Sequence, residues 1–303
     1  MSLVDLTNTE EVRFPRSQSG SEPQHLLSIL LGDYWFSRTE HISSAGLVAL
    51  LAEFDISEGS ARQAMLRLHK RGVLEQSRAG RTTAYGFRPR TDEVTAVRLR
   101  HVVGFGTKPP PWDGLWTVLT LTVPDTIRNV RTAIQNGLRS EGFAMLQDGV
   151  WIAPRDRTQT ATRLLAEHGV RDGHVFRADH IPHSGVEAAL QRSFDLSKLR
   201  RYYERFIQAH RPALDDPALV GNPLAYRTRM MNQWLAFRGI DPELPAELWP
   251  ADWPRPEARR IFRVLYDELG PAAEERFKEV LRPTDPQLVE LTGHHVAGPF
   301  DEE

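Results

Sequence analysis

Three observations predict a multidomain α+β chain: a basic helix-and-hairpin pattern near the N-terminus, a middle region alternating as β-α-β-β-α-β, and a last third with helical periodicity and no strand pattern. A length of 303 residues fits this division, being too long for one small domain. The changes of pattern place a mobile arm at 1–22, a winged helix-turn-helix domain at 23–90, and a connecting helix and linker at 91–111. A ferredoxin-like domain follows at 112–183, a helical domain at 184–283 and a tail at 284–303.

The arm is polar and interrupted by Pro15, so nothing in it predicts a packed core. Residues 24–31 and 45–54 are apolar helical segments, and a short turn at Asp55-Ile56 leads to Ser57, which is placed to cap a third helix. Glu58 stands at the positive end of its dipole, and Gly72 supplies the left-handed residue that ends it. At about 100° per residue, Ala61, Ala64, Met65 and Leu68 fall in one arc, and Ser60, Gln63, Arg67, Lys70 and Arg71 in another. Arg62, Leu66 and His69 lie between, and Leu66 is expected to pack under a neighbouring element.

Two strand-like runs, 73–76 and 83–87, flank a basic tip at 77–82. From 57 to 90 there are eight Arg or Lys against two Glu, a local net of +6 in a chain whose total is −2. A charge run alone describes an ordinary solvated face. Here it follows a helix-turn-helix and ends in a basic hairpin, the pattern in which the third helix enters the major groove and the wing lies on phosphates. The candidate DNA contacts are Ser60, Arg62, Gln63, Arg67, Lys70, Arg71, Arg78, Arg81 and Thr82. Gln63 and Arg67 are suited to base edges, Arg78 and Arg81 to phosphates.

Farther along, residues 92–103 predict a helix and 104–111 a linker stiffened by three consecutive prolines. The middle region reads as strand 116–123, helix 125–140, strands 143–146 and 150–152 about Asp148-Gly149, helix 158–167 closed by Gly169, and strand 175–178. Sheets this small commonly pair with a second copy, which predicts a homodimer and an operator built as an inverted repeat. Helices are expected at 185–194, 196–209, 224–237, 256–269 and 272–281, punctuated by prolines that include Pro212. Residues 241–303 carry fifteen acids against seven bases, which argues against a second DNA surface there.

No apolar run approaches the ~20 residues of a membrane span. The chain begins without a secretion-signal pattern, and it has no cysteine, which together predict a cytoplasmic protein without disulfides or thiolate metal sites. No glycine-rich phosphate loop or Gly-x-Ser-x-Gly turn is present, and no cofactor or metal is expected. His174, His180 and His183, with Asp179, match no compact metal-ligand spacing and are read as solvated or hydrogen-bonded. Trp112, Arg227, Trp234 and Arg238 pair aromatic surface with cationic donors and are the candidate contacts for an anionic effector.

The wording extends the case. Ala61-Arg62-Gln63-Ala64-Met65-Leu66-Arg67-Leu68, Gly80-Arg81 and Tyr85 are followed by Trp112-Asp113-Gly114-Leu115-Trp116, Gly142-Phe143 and Trp151-Ile152-Ala153-Pro154. Asp195-Leu196-Ser197 and Trp249-Pro250-Ala251-Asp252-Trp253-Pro254 come last. In this order the chain resembles the PaaX-type repressors of phenylacetate catabolism, from about residue 24 to 281. The resemblance implies a dimeric, non-enzymatic repressor with a winged helix, a Cas2-like ferredoxin-like centre and a helical C-terminal domain. It also implies release from double-stranded DNA by an effector such as phenylacetyl-CoA or another acyl-CoA. Cas2-type folds include metal-dependent nucleases with an Asp just after the first strand, which makes a nuclease the alternative. Asp125 stands at that position, where it is read as the cap of the following helix.

Overall fold

The structure, a computed structural model, describes residues 22–80, 82–88, 104–106, 112–122, 128–170, 172–179 and 183–297. In chain order its elements are α1 (Glu22–Tyr34), β1 (Ile42–Ser43), α2 (Ser44–Ala52), α3 (Glu58–Lys70), β2 (Leu74–Ala79), β3 (Thr82–Phe87) and β4 (Trp116–Leu121). Next come α4 (Arg128–Ser140), β5 (Ala144–Gln147), β6 (Val150–Ala153), α5 (Thr158–Glu167) and β7 (Gly173–Ala178). The remainder is helical: α6 (His183–Phe194), α7 (Leu196–Asp215), α8 (Pro223–Phe237), α9 (Arg255–Glu268) and α10 (Gly270–Leu281), with short 3₁₀ segments between and after them. The helix expected at 92–103 and residue Asp125 lie outside the described residues, as do 107–111 of the linker. No helix among the described residues is long and apolar enough to cross a membrane.

Two compact units form, each from separated stretches of chain: Met1–Phe105, Arg205–Gly239 and Pro256–Glu303 in the first, Gly106–Glu204 and Ile240–Arg255 in the second. The first departs from the order of domains that the sequence suggests. Leu30 and Tyr34 of α1, Leu50 of α2, Met65 of α3 and Phe87 of β3 share one core with Leu224 of α8 and Phe277 and Leu281 of α10. Each such fully buried side chain stabilises by about 1.5–3 kcal/mol, so α8 and α10 help to hold the N-terminal helices in one core.

Polar links reinforce this shared core. Asp285, buried, accepts from the Ser43 backbone amide at 3.1 Å and from Ser43 Oγ at 2.7 Å. Ser43 Oγ in turn accepts from Gly46 N at 3.0 Å and so caps α2. Glu53, at the end of α2, receives Arg276 through two hydrogen bonds of 2.9 Å and Asn222 at 2.7 Å. Burial pushes the Glu53 carboxyl up, but the bonds from Arg276 and Asn222 outweigh it and leave the pKa below the usual value. Helix α7 does not stop before Pro212, as expected, but runs to Asp215. Pro212 lies in the last turn, and its carbonyl still accepts from Asp216 N at 2.9 Å.

The second unit holds a four-stranded sheet in the order β5-β6-β4-β7, with every pairing antiparallel. That is the order of the split β-α-β-β-α-β unit. Leu119, Trp151, Ile134, Leu138, Ala161 and Leu165 form its core between sheet and helices α4 and α5. The β5–β6 hairpin turns at Asp148-Gly149, as expected, and Gly149 takes a φ of 76°. Helix α6 packs on β5, where Ser193 Oγ accepts from Met145 N at 2.9 Å. Strand β7 is the opposite end of the sheet, and its Phe176 is 48% exposed.

The tryptophan motifs are structural. In Trp112–Trp116, Asp113 pairs with Arg177 of β7, Leu115 N donates to Asp113 Oδ1 at 2.9 Å, and the two indoles meet edge to face at 5.3 Å. In the Trp249–Pro254 motif, the two tryptophans stack at 4.4 Å while Arg200 grips Asp252 and lies over the Trp253 ring.

Candidate nucleic-acid interface

Helix α3 is fixed at both ends by its own sequence. Ser57 Oγ accepts from Ser60 N at 3.4 Å, and Glu58 in the first turn pairs with Arg62 at 2.7 Å, one turn on. At the other end Gly72, with φ 72°, donates to the His69 carbonyl at 2.9 Å, and Val73 N donates to the Leu68 carbonyl at 3.0 Å. These two bonds make a Schellman motif and turn the chain into β2. The His69 ring reaches the Leu74 carbonyl at 3.2 Å, and Arg71 donates to Gln24 Oε1 at 3.4 Å, so the C-terminal turn is braced against both β2 and α1.

Ala61, Ala64, Met65 and Leu68 are buried, as the periodicity predicts. Ser60, Arg62, Gln63, Arg67, Lys70 and Arg71 are all exposed on the one helix. Arg67 and Lys70 make no ion pair among the described residues. Leu66 does not pack under a neighbour: it is 38% exposed and takes no part in the core beneath the helix. The turn before α3 is made by Asp55, whose φ of 62° is one that Asp and Asn tolerate better than most residues.

The hairpin is tighter than its sequence suggests. Ala79 pairs directly with Thr82, so the strands reach into the expected six-residue tip, where Gly80 takes φ 63°. Arg78 and Thr82 are exposed beside this turn, and Arg81 lies outside the described residues. A third strand, β1, pairs Ile42 with Tyr85 and Ser43 with Ala84. Two residues are too few to show alternation, which is why the sequence did not reveal it. His41, just before β1, hydrogen-bonds Ser77 Oγ of the hairpin at 2.8 Å, and its ring lies so close to Gly86 that a Cβ there would collide with it. Gly86 is therefore a close-approach glycine, and His41 a brace for the hairpin.

Of the four candidate effector residues, Arg227, Trp234 and Arg238 lie in the first unit and Trp112 in the second. Arg227 is 0% exposed; it donates to the Tyr266 carbonyl at 2.8 Å, Tyr34 Oη at 3.0 Å, Asp33 Oδ2 at 3.3 Å and the His295 carbonyl at 2.5 Å. Its guanidinium also lies 3.6 Å from the Tyr266 ring centroid. Trp234 is equally buried, stacked on Phe262 at 4.6 Å. Both are buried within the first unit, their side chains covered by protein on every side. Arg238 is exposed at the C-terminal cap of α8, and Trp112 belongs to the second unit. Burial pushes Asp33 above the usual carboxylate range, opposed by Arg227 and the Tyr266 hydroxyl, and pushes the Tyr34 hydroxyl up to about 12.

Among the described residues no group of three or more His, Asp or Glu is arranged to hold a metal. His174 is exposed near Asp172 at 4.0 Å, while His180 and the side chain of His183 lie outside the described residues.

Comparison with known proteins covers most of the chain. Residues 22–88 match the family model of the PaaX-like protein, 109–190 that of the PaaX protein central Cas2-like domain, and 194–279 that of the PaaX-like protein C-terminal domain. The transcriptional repressor PaaX of Escherichia coli (strain K12) is 29% identical over 258 residues, 82% of this chain and 80% of its own. The solved structure of the uncharacterized protein Rv0674 from Mycobacterium tuberculosis superposes with a TM-score of 0.52 at 23% identity, covering 84% of this chain and 96% of that one.

Proposed function

The chain belongs to the PaaX-type repressor family, and from that premise we propose that it is a DNA-binding transcriptional repressor whose residues 22–88 form a winged helix-turn-helix. It is a regulator and not an enzyme: the curated relative it matches along most of its length is a transcriptional repressor. In this reading α3 enters the major groove and the β2–β3 hairpin is the wing. The observation that carries it is the outer face of α3, where Ser60, Arg62, Gln63, Arg67, Lys70 and Arg71 are exposed together on a helix locked at both ends. Gln63 and Arg67 contact base edges; Arg78, Arg81 and Thr82 contact phosphate and sugar.

The finer reading is a cytoplasmic homodimer on an inverted-repeat operator of an aromatic-acid catabolic operon, released by an acyl-CoA such as phenylacetyl-CoA. Support for the dimer is the free outer edge of β7 among the described residues and its exposed Phe176, since such an edge is a ready template for a second strand. Support for the effector is the family. Trp112 and Arg238 remain candidates for its contacts.

Selection of binding sites from a random DNA pool by the full-length protein tests the reading. Arg67→Ala should weaken the selected site by about 1–3 kcal/mol and flatten sequence preference, whereas Arg78→Ala should weaken all sequences alike and lower the salt slope by about one. Loss of neither would remove the winged-helix reading. In the same experiment a footprint without two-fold symmetry removes the dimer, and an unchanged footprint with phenylacetyl-CoA and other acyl-CoAs removes that effector class.

A further inference from the structure

On α3 an apolar side chain stands where the proposed function needs a reader. At about 100° per residue the buried residues Ala61, Ala64, Met65 and Leu68 span roughly 100° of the helix. The direction opposite their midpoint passes between Gly59 and Lys70, with Leu66 and Gln63 about 30° to either side. Leu66 therefore projects away from the core, among Arg62, Gln63 and Lys70, with 38% of its surface exposed. The side chain takes no part in the core cluster behind the helix.

The surroundings decide what such a leucine meets. An apolar protein groove would have to desolvate the neighbouring Arg62 and Lys70, which is costly. The major groove of DNA sets phosphates against those cations and offers, on its floor, the C5 methyl group of thymine as an apolar contact. Gln63 lies one turn from Leu66 and is suited to the N6 and N7 edge of adenine, the base that pairs with thymine. We infer that Leu66 is a specificity-determining residue that reads a thymine methyl group, so that Leu66 and Gln63 together select A·T pairs. This rests on the reading of α3 as the helix that enters the major groove.

The test uses the full-length protein and the site it selects from random DNA, resynthesised with deoxyuridine in place of each thymine in turn, which deletes only the methyl group. Wild-type protein should lose about fourfold in affinity at one thymine per half-site, the factor that burying one methyl-sized group contributes. Leu66→Ala and Leu66→Gln should bind the thymine and deoxyuridine sites equally, while Arg67→Ala should keep the fourfold ratio. If deoxyuridine is tolerated everywhere, or the ratio survives in both Leu66 variants, the inference falls while sequence selection leaves the DNA-reader proposal standing. If the wild type selects no sequence, both fall. A change in oligomeric state on Leu66→Ala, with the deoxyuridine ratio intact, assigns the leucine to a protein contact and overturns the inference.

Discussion

Arg67 and Arg227 lie in the same folding unit, and the regions around them treat the same side chain in opposite ways. On the outer face of α3, Arg67 and Lys70 stand in solvent with no ion-pair partner among the described residues. Beneath, Arg227 is sealed between Tyr34 and Tyr266, and its hydrogen bonds reach α1, α9 and the segment after α10. An exposed arginine keeps its donors for a partner and contributes little to stability. A buried one has spent them inside the fold, and removing it strands the charge it faced. The contrast separates a surface built to meet something from a bridge built to hold three stretches of chain in one core.

The largest expected effect comes from breaking the bridge. Arg227→Met leaves Asp33 buried without its cation and should destabilise the first unit by about 3–5 kcal/mol. Arg67→Ala, on the exposed face, should stay within about 0.5 kcal/mol of wild type. Denaturant unfolding of both variants measures the difference, and the double change Arg227→Met with Asp33→Leu should recover much of the loss. A small effect of Arg227→Met alone would show that the bridge is dispensable.

A smaller effect should come from His210 of the same unit, which is buried between Tyr226 Oη at 2.7 Å and Gln233 Oε1 at 2.8 Å. Burial lowers its pKa from the ordinary 6.5 to about 4, so the folded state holds it neutral while the unfolded chain takes up a proton. Its contribution is fully present above pH 6.5 and is lost as pH falls toward 4, by about 3 kcal/mol at most. His210→Gln should remove that slope between pH 6.5 and 4 in unfolding experiments, whatever it does to stability at neutral pH. An unchanged slope would assign the acid sensitivity elsewhere.

The same comparison explains what was legible in the sequence. The cap at Ser57, the Schellman end at Gly72 and the buried arc of α3 are local, so periodicity and turn chemistry predict them directly. The β-α-β-β-α-β order of the second unit is equally local, since each strand is bounded by its own turn signals. The bond from Ser43 to Asp285 joins residues 242 positions apart, and no nearby pattern announces it. The burial of Arg227 is not legible in the sequence, because α8 is buried on nearly every side, from Leu224 and Ala225 to Met231 and Trp234. A helix without a solvent face gives no periodic sign of which arginine is inside. Leu66 is the converse case: its apolar side chain suggests packing, while its angle on the helix turns it outward.

The smallest effect concerns Gly59, which with Lys70 lies nearest the outward line of α3. Its φ is not in the left-handed region, and a Cβ built on it meets no atom within 4 Å, so the fold gives no reason for glycine at this helical position. Glycine in a helix is conformationally unfavourable, and Gly59→Ala should therefore stabilise the protein by about 0.4–1 kcal/mol. If the first turn of α3 approaches base edges as proposed, the added methyl group meets DNA where it meets no protein, and affinity for the selected site should fall even as stability rises. Thermal unfolding and DNA titration of the one variant give both signs. A rise in stability with unchanged affinity would place the first turn of α3 away from the groove floor and shift recognition toward Gln63, Leu66 and Arg67. A fall in both would mean that the backbone at Gly59 is constrained in a way its open surroundings do not suggest.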